Sequence, residues 1–428
     1  MATALPADPV VGDIEAFLLQ TLADLEPEPQ EPKPGRPRIL PALALWAGLL
    51  VCVLRGFSSQ LALWRLLSQD QLWFYPRFPV SDQAVYTRLA HAGTAPLEQL
   101  FAQLTAVLAE RLAPYAATKL APFAAEVVAV DETTLDPVAR KLPALRDLPS
   151  GAHQLLPGKL AGLFDLRRQQ WRQLHHIPDP AQNEKVLARD LVATVPPGSL
   201  LLADLGYFGF PWFDEMTEAG YFWISRLRAK TSYTVIHAFY QQGETFDGLI
   251  WLGAYRADQA KHAVRLIQFR QGGTLHRYIT NVRDPWLLPL PEVARLYARR
   301  WDIEMAVQLV KQHLGLRLLW SAKPGVIQQQ VWAVLIIAQI LQALRLEIAG
   351  RAGVDPFQVS LPLLVEYLPR WAYTGRDPVA LVVERGKAMG LIRPSRRTMI
   401  QSPTIDPAEL VPAPAGLILI RKPRYAQR

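Results

Sequence analysis

The chain has 428 residues, of which 50% are hydrophobic and 20% charged, and this composition excludes a disordered protein and leaves room for two or three domains. Lys and Arg number 46 against 38 Asp and Glu, and the resulting charge of +8 favours a polyanionic partner, either nucleic acid or a membrane surface. The single cysteine, Cys52, excludes an internal disulfide and a cysteine-based zinc cluster, and it fits a reducing cytoplasm.

The N-terminal region combines a short helix with a stiff linker. Residues 1–26 have the pattern of one amphipathic helix, and residues 26–38 alternate Pro with charge, which predicts an exposed linker. The linker ends in the basic segment Lys33–Arg38, which is either a solvated linker or an extended arm for a DNA minor groove. The apolar run Ile39–Leu54 that follows has 16 residues, fewer than the roughly 20 that span a membrane, and Pro41 and Gly48 interrupt it. We therefore expect a buried helix there rather than a membrane span or a signal peptide.

Residues 39–120 have helical periodicity and contain a candidate DNA-reading helix. Ser81 is a predicted N-cap, and the residues after it alternate between an apolar and a polar side. The predicted inward side chains are Ala84, Val85 and Leu89, and the predicted outward side chains are Gln83, Tyr86 and Arg88. Gln and Arg are side chains that read base edges, so this is either the recognition helix of a helix-turn-helix or an ordinary amphipathic helix.

From residue 123 the pattern changes to strands. The predicted strands, in chain order, are Val127–Val130, Leu160–Asp165, Trp171–His175, Leu200–Ala203 and Tyr221–Arg226, with a helix at Leu187–Thr194. Residues 230–282 carry further strand-like segments, and helices are predicted at 291–317 and 326–349. A three-strand meander, a helix, two strands and a final helix is the element order of a ribonuclease-H-like core.

The predicted fold class is therefore α/β, with a ribonuclease-H-like catalytic core interrupted by a β-rich insertion and preceded by an all-helical N-terminal domain. The predicted divisions are 1–38 for the N-terminal helix and basic linker, 39–120 for the helical and DNA-binding domain, 121–228 for the first part of the core, 229–290 for the insertion, 291–350 for the last core helices and 351–428 for a helical and basic tail.

Two aspartates share a sequence context that points to a ligand site. Asp131 and Asp204 each follow four apolar residues, at the carboxyl end of a predicted buried strand. Open sheets place ligand sites at such ends, and two carboxylates on neighbouring strands could hold a divalent metal through oxygen ligands. For either aspartate taken alone, a cap or turn residue is the simpler interpretation.

A third carboxylate lies in a polar stripe on a later predicted helix. At about 100° per residue, Tyr297, Arg300, Glu304 and Lys311 fall within about 60° of one another on one helix face. The Arg300 and Glu304 pair has the spacing of a surface ion pair, which is the simpler interpretation. Apolar neighbours on both sides of the stripe instead favour the floor of a cleft.

These four residues resemble the Y-R-E-K signature of the transposases of insertion-sequence family four. Two further segments are similar to that family, the strand Val128–Asp131 and the run Asp204–Phe208, which matches D-x-G-Y-F. Asn281, just upstream of the signature, is also similar. The resemblance covers about residues 123–345, with the motifs in the expected order and spacing.

The resemblance implies a cut-and-paste DNA transposase. Asp131, Asp204 and Glu304 would hold two Mg²⁺ ions, or Mn²⁺ in their place, on either side of the scissile phosphate, without a covalent intermediate. One ion would activate the attacking water or 3′-hydroxyl, and the other would stabilise the leaving oxygen. Arg300, Lys311 and Tyr297 would contact DNA phosphates.

Members of this family form a DNA hairpin with a flipped base stacked on an aromatic side chain, and here the sequence departs from the family. No Trp stands shortly before Thr280-Asn281. The candidate stacking residues are Trp251, Tyr278 and Trp286, each also compatible with a core position.

The expected partners are double-stranded DNA, both transposon ends and target, and a second copy of the chain in the synaptic complex, by analogy with the family. The expected location is the cytoplasm, on the nucleoid. Three alternatives stay open: a nuclease that cuts without joining, a catalytically inactive DNA-binding derivative, and a membrane-associated protein built around residues 39–54.

Overall fold

A computed structural model describes most of the chain beyond residue 38. The described residues are 21–22, 39–70, 72, 75–134, 143–149, 159–177, 184–254, 258–314, 316, 319–321, 323–373, 377–395 and 400–425. The predicted helix over 1–26, apart from residues 21–22, and the predicted linker up to residue 38 lie outside them.

One mixed sheet of nine strands forms the centre of the described structure. The strands are β1 (Val127–Thr134), β2 (Lys159–Asp165), β3 (Gln170–Ile177), β4 (Leu200–Ala203), β5 (Phe222–Arg226), β6 (Tyr233–Gln242), β7 (Thr245–Leu252), β8 (Val264–Gln271) and β9 (Thr274–Thr280). Their order in the sheet is β3-β2-β1-β4-β5-β9-β8-β7-β6. Strand β1 pairs parallel with β4, and β4 pairs parallel with β5, while the remaining pairs are antiparallel. The strands predicted for residues 230–282 thus extend the same sheet through the β5–β9 pair.

Helices cover both faces of the sheet. They are α1 (Ala42–Leu54), α2 (Gln60–Ser68), α3 (Asp82–His91), α4 (Ala95–Arg111), α5 (Glu184–Val192), α6 (Phe210–Glu218), α7 (Leu290–Ala298), α8 (Trp301–Gln308), α9 (Pro324–Ala352), α10 (Leu361–Tyr373) and α11 (Pro378–Arg385). Successive strand residues point to opposite faces, so Val128 and Val130 pack with α5 and α6, while Val127 and Ala129 pack with the other helices. Strands β1 and β4 are apolar on both sides up to the aspartates because both sides are covered there.

The long helix α9 joins the N-terminal helices to the sheet. It contacts α1, α3 and α4, and their apolar side chains share one core cluster with β1 and β4. Among the described helices, α9 is the one long and apolar enough to cross a membrane, and its apolar window is completely buried inside the protein. This agrees with the core helix predicted there. Helix α1, from the predicted apolar run, has 13 residues and is also buried.

A buried glutamine on α9 closes one edge of the sheet. The Gln339 side chain accepts a hydrogen bond from the backbone N–H of Trp171 on edge strand β3, at 3.0 Å, and donates one to the Trp171 carbonyl, at 2.6 Å. The amide therefore takes the place of a neighbouring strand at this residue. An edge strand whose polar groups are satisfied in this way is protected from pairing with other chains.

Two predicted elements differ from the observed ones. Strand β1 does not end at Asp131 but continues to Thr134, because antiparallel pairing with β2 goes on after β4 has ended. The helix predicted over 291–317 is broken at Arg299-Arg300, and α8 passes into a π-helical turn at Leu309–His313. Both differences concern the segments that carry the candidate site residues.

The C-terminal segment after α11 packs against the far end of the sheet. The backbone N–H of Val411 donates to the Phe239 carbonyl of β6, at 2.8 Å, and the Tyr425 hydroxyl donates to Asp214 on α6, also at 2.8 Å. The Arg421 guanidinium lies over the Trp251 ring of β7, at 4.6 Å from the ring centroid. This segment therefore ties α6 to β6 and β7.

The burial of Cys52 predicts an unreactive thiol. Its side chain has no exposed area, and burial raises the pKa of the thiol although Arg55 opposes the shift. We expect Ellman's reagent to leave the native chain unmodified at mildly alkaline pH and to modify one thiol per chain after unfolding in urea. Fast modification of the native chain would contradict the position of α1 in the core.

The contact between Gln339 and Trp171 predicts a large effect on stability. Replacement of Gln339 by Leu leaves a backbone N–H and a carbonyl of β3 without their partner, which we expect to lower the free energy of unfolding by roughly 2 to 4 kcal/mol. Urea denaturation measures the change. The exposed Gln308 supplies the control, because Gln308→Leu removes no buried hydrogen bond. Equal effects of the two substitutions would show that the edge contact adds nothing.

Candidate active site

The register of β1 and β4 places two aspartates at the same level of the sheet. The last parallel pair is Val130 with Ala203, so Asp131 and Asp204 follow at equivalent positions. Neighbouring strands lie about 4.8 Å apart, and the alternation of side chains puts both aspartates on the face where α8 contacts β1. On the β2 side of β1, Asp131 pairs with Gly162. A Cβ atom added at Gly162 would lie 2.7 Å from Leu174 and 2.9 Å from Trp171, closer than Cβ atoms normally approach other atoms. The sheet therefore brings the two carboxylates together, as the sequence predicted.

Helix α8 adds a third carboxylate and a buried guanidinium to this face. Arg300 donates from Nη2 to Glu304 Oε1 at 2.7 Å, and its Nε lies 4.0 Å from Asp204 Oδ1. The Arg300 side chain is only 4% exposed, whereas Glu304 and Asp204 are 35% and 44% exposed. Because the pair is half-buried and shared with Asp204, it is not the surface ion pair of the simpler interpretation. The Nη1 atom of Arg300 is buried and has no hydrogen-bond partner among the described residues.

The environment of Asp131 disfavours its charged form. Its pKa is raised to about 6, mainly because burial penalises the charged carboxylate. The carboxylates of Glu304 and Asp204 add to the rise. The backbone N–H of Glu132, which donates to Asp131 at 2.9 Å, and the Arg300 guanidinium oppose it. All three carboxylates are thus close enough to interact.

Lys311 reaches the same face from the π-helical turn. Its Nζ donates to the Thr133 hydroxyl of β1 at 2.6 Å, two residues beyond Asp131. Burial lowers the pKa of the Lys311 ammonium, and the negative charge of Asp131 opposes that shift. A π turn interrupts regular helix geometry and is frequent at functional sites. The extension of β1 to Thr134 and the π turn together bring Lys311 to the carboxylates.

Tyr297 lies beneath this cluster rather than at its surface. It is 1% exposed, and the guanidinium groups of Arg226 and Arg300 lie 5.5 and 6.0 Å from its ring centroid. Burial raises the pKa of the Tyr297 hydroxyl, while Arg300 and Arg226 oppose the rise. The four residues of the predicted stripe are therefore neighbours, with Tyr297 and Arg300 inside and Glu304 facing outward.

The donor set suits a hard divalent cation. Asp131, Asp204 and Glu304 supply carboxylate oxygens, which Mg²⁺ and Mn²⁺ prefer, and their charge exceeds that of Arg300 and Lys311 by one unit. Within the described ranges, no three His, Cys, Asp or Glu side chains stand close enough to form a preassembled metal cluster. The residues fit a metal chemically, with Arg300 placed between Glu304 and Asp204.

The predicted stacking aromatics differ in accessibility. Tyr278 is 1% exposed and packs against Tyr297, and the Trp251 ring is covered by Arg421. Trp286 is 48% exposed. Sequence reasoning did not single out Trp301, which is 53% exposed and lies beside Arg300, at 5.4 Å from its guanidinium. Its position directly after Arg300 in the signature was the signal that could have identified it.

Asn281, which also resembles the family, has a structural contact. Its side chain accepts a hydrogen bond from the backbone N–H of Trp223 at 2.9 Å and donates one to the Tyr221 carbonyl at 2.7 Å. It therefore continues the pairing of β9 with the start of β5.

The candidate recognition residues lie on α3, whose N-cap is Ser81, as predicted. Gln83 is exposed and Tyr86 is half-buried. Arg88 is half-buried and donates to the Leu40 carbonyl, which ties α3 to the segment before α1. Val85 and Leu89 are buried as predicted, but Ala84 is exposed.

Comparisons with known proteins point to one family. The family model described as "Transposase DDE domain" matches residues 125–340, half of the chain. The transposase InsG for insertion sequence element IS4 of Escherichia coli (strain K12) is 25% identical over 190 residues, 42% of this chain and 42% of that protein. The putative transposase y4zB of Sinorhizobium fredii (strain NBRC 101917 / NGR234) is 24% identical over 219 residues, 49% of this chain and 58% of that protein. The chain thus spans about half the length of the curated relatives it matches.

Among solved structures, the chain is similar to the piggyBac transposase in a cryo-EM synaptic complex with hairpin DNA. The TM-score is 0.41 at 8% identity, covering 94% of this chain and 87% of that chain.

The raised pKa of Asp131 predicts how stability depends on pH in the metal-free protein. A carboxyl with a folded pKa of about 6 and an ordinary value of 3.8 binds its proton more tightly in the folded state, so it destabilises the fold increasingly as pH rises through this interval. We expect Asp131→Asn to raise the free energy of unfolding in EDTA at neutral pH by up to about 2 to 3 kcal/mol, with no gain below about pH 4.

Urea denaturation of both chains across this pH range measures the difference. The exposed Asp70 supplies a control, since Asp70→Asn changes a carboxyl outside the site. A gain for Asp131→Asn that does not depend on pH would contradict the electrostatic origin.

Proposed function

Because this chain belongs to the transposase DDE domain family, we propose that it is a DNA transposase that hydrolyses phosphodiester bonds at transposon ends and joins them to target DNA. The observation that carries the proposal is the parallel register of β1 and β4, which sets Asp131 beside Asp204 on the face where α8 presents Glu304. Transposition proceeds here by cut-and-paste, as the resemblance to insertion-sequence family four implies.

The three carboxylates are the metal ligands and the catalytic residues. Bound Mg²⁺ or Mn²⁺, two ions in the complete site, supplies an activated oxygen nucleophile and neutralises charge on the scissile phosphate. Asp131 and Asp204 hold their positions through the sheet, and Glu304 approaches from α8. Arg300 orients the Glu304 carboxylate through its hydrogen bond of 2.7 Å.

The cations of the site bind DNA phosphates. Arg300 has a buried Nη1 without a hydrogen-bond partner among the described residues, so it can donate to a phosphate oxygen while it keeps Glu304. Lys311 acts as a point charge beside Asp131. Tyr297 was expected to contact a phosphate, but its burial leaves it the role of supporting Arg300 from below.

The element order and the strand order β3-β2-β1-β4-β5 support a ribonuclease-H-like core, with β6–β9 as its β-rich insertion. Helices α1–α4 form the DNA-binding region, in which Gln83 and Tyr86 are the accessible candidates for base contacts. Trp286 and Trp301 are the exposed aromatics available to stack on a flipped base. The partners are duplex DNA and a second copy of the chain.

Cleavage of a labelled duplex that carries the element's own ends tests the proposal. With Mg²⁺ or Mn²⁺ we expect cutting by the wild type, and a loss of at least about a hundredfold in Glu304→Gln and in Asp204→Asn, because each substitution removes a charged metal ligand. Binding of the same DNA persists in both variants. Glu244→Gln is the control, since Glu244 is an exposed glutamate paired with Arg270 on the distant hairpin.

Three outcomes would change the assignment. Unimpaired cutting by Glu304→Gln would refute the metal ligands. Binding without cutting by the wild type would favour the inactive DNA-binding derivative. Cutting without joining to a target duplex would favour the nuclease.

A further inference from the structure

Helix α8, which carries Glu304, does not continue into a regular α-helix on either side. It has eight residues. Directly before it, the N–H groups of Arg299 and Arg300 bond to carbonyls three residues back instead of four, which is the spacing of a 3₁₀ turn. A π-helical turn follows it. A helix this short that is broken at both ends takes its orientation from tertiary contacts.

A buried aspartate on α8 provides such a contact. Asp302 is 2% exposed, and its Oδ2 accepts hydrogen bonds from Arg299 Nε at 2.7 Å and from Gln169 Nε2 at 2.9 Å. Asp302 and Glu304 are two residues apart, which corresponds to about 200° around a helix. The bonds of Asp302 therefore hold the side of α8 opposite to Glu304. Any rotation of α8 that moves Glu304 must therefore disturb these bonds.

Gln169, in the β2–β3 turn, has a backbone conformation that glycine would adopt more easily. Its φ is +56°, yet the residue is a glutamine and is 1% exposed. Its side-chain Nε2 donates to Asp302 and also to the Leu166 carbonyl, the latter at 3.0 Å. Its side-chain oxygen Oε1 accepts from Arg345 of α9 at 2.9 Å. The side chain thus connects the turn, α8 and α9 at one point.

The ring of Phe357 packs against two arginines of this contact network. The guanidinium groups of Arg299 and Arg345 lie 5.4 and 4.8 Å from the centroid of Phe357. The arginine that binds Asp302 and the arginine that binds Gln169 therefore pack on the same ring, which restricts the movement of both.

We propose that the Asp302–Gln169 hydrogen bond is a latch that sets the rotation of α8 and so keeps Glu304 on the face of the sheet that carries Asp131 and Asp204. Asp302 and Gln169 are positioning residues, since both are buried and Asp302 lies on the side of α8 opposite to Glu304. The latch rests on the proposed function, because it assigns these residues to the assembly of the same carboxylates.

Mn²⁺ binding to the full-length chain without DNA, followed by electron paramagnetic resonance, tests the latch. Asp302→Asn keeps the shape but removes the charge that binds Arg299, and Gln169→Gly relieves the left-handed backbone while removing the side-chain bonds. For both variants we expect Mn²⁺ affinity to fall about 10- to 100-fold, with a parallel loss of end cleavage. Binding of end DNA in EDTA stays as in the wild type.

Asp214→Asn is the matched control. Asp214 is a buried aspartate, 3% exposed, whose carboxylate accepts from the N–H groups of Lys261 and His262 and from the Tyr425 hydroxyl, away from α8. We expect the Asp214→Asn substitution to lower the melting temperature without changing Mn²⁺ affinity. Wild-type Mn²⁺ affinity in both Asp302→Asn and Gln169→Gly, whatever their stability, overturns the latch alone. A wild-type chain that neither binds Mn²⁺ nor cuts DNA overturns the proposed function, and the latch with it.

Discussion

The parallel pairing of β1 with β4 is the constraint on which the site depends. The pair ends at Val130 and Ala203, and the two following residues are both aspartates. Beyond this point β4 leaves the sheet, while β1 continues along β2 and leaves one side of Asp131 open toward α8. A shift of one residue in this register would send one aspartate to the opposite face, among the apolar side chains of α5 and α6.

The Arg300 charge at this edge is stabilised by carboxylates rather than by water. Arg300 is almost fully buried, and it is held by Glu304 and lies within ion-pair distance of Asp204. Burial is the main cause of the raised pKa of Asp131, and the Glu304 and Asp204 carboxylates add to it. A charge buried in this way lowers stability unless it is paired, and a bound cation would offset the excess negative charge.

Polar contacts of helix α9 fix its position relative to the sheet and to α3. Three of its buried polar side chains form specific contacts with distant parts of the chain. Gln339 satisfies the edge strand β3, Arg345 binds Gln169, and Gln329 donates to the Leu89 carbonyl of α3. Buried polar groups with satisfied hydrogen bonds specify one arrangement of helices against the sheet, whereas apolar contacts alone tolerate several. The helix that carries no candidate catalytic residue therefore determines where the catalytic face lies.

Local sequence patterns predicted the chain order of the strands up to Asp204, the Ser81 cap and the spacing that pairs Arg300 with Glu304, because these follow from periods of two and 3.6 residues and from local caps. Only the tertiary structure decided the extension of β1, the break before α8 and the π turn that carries Lys311. It also decided that Tyr278 is buried, that Arg421 covers Trp251 and that Gln169 reaches Asp302. Each of these features depends on a partner distant along the chain, and no local periodicity records such a partner.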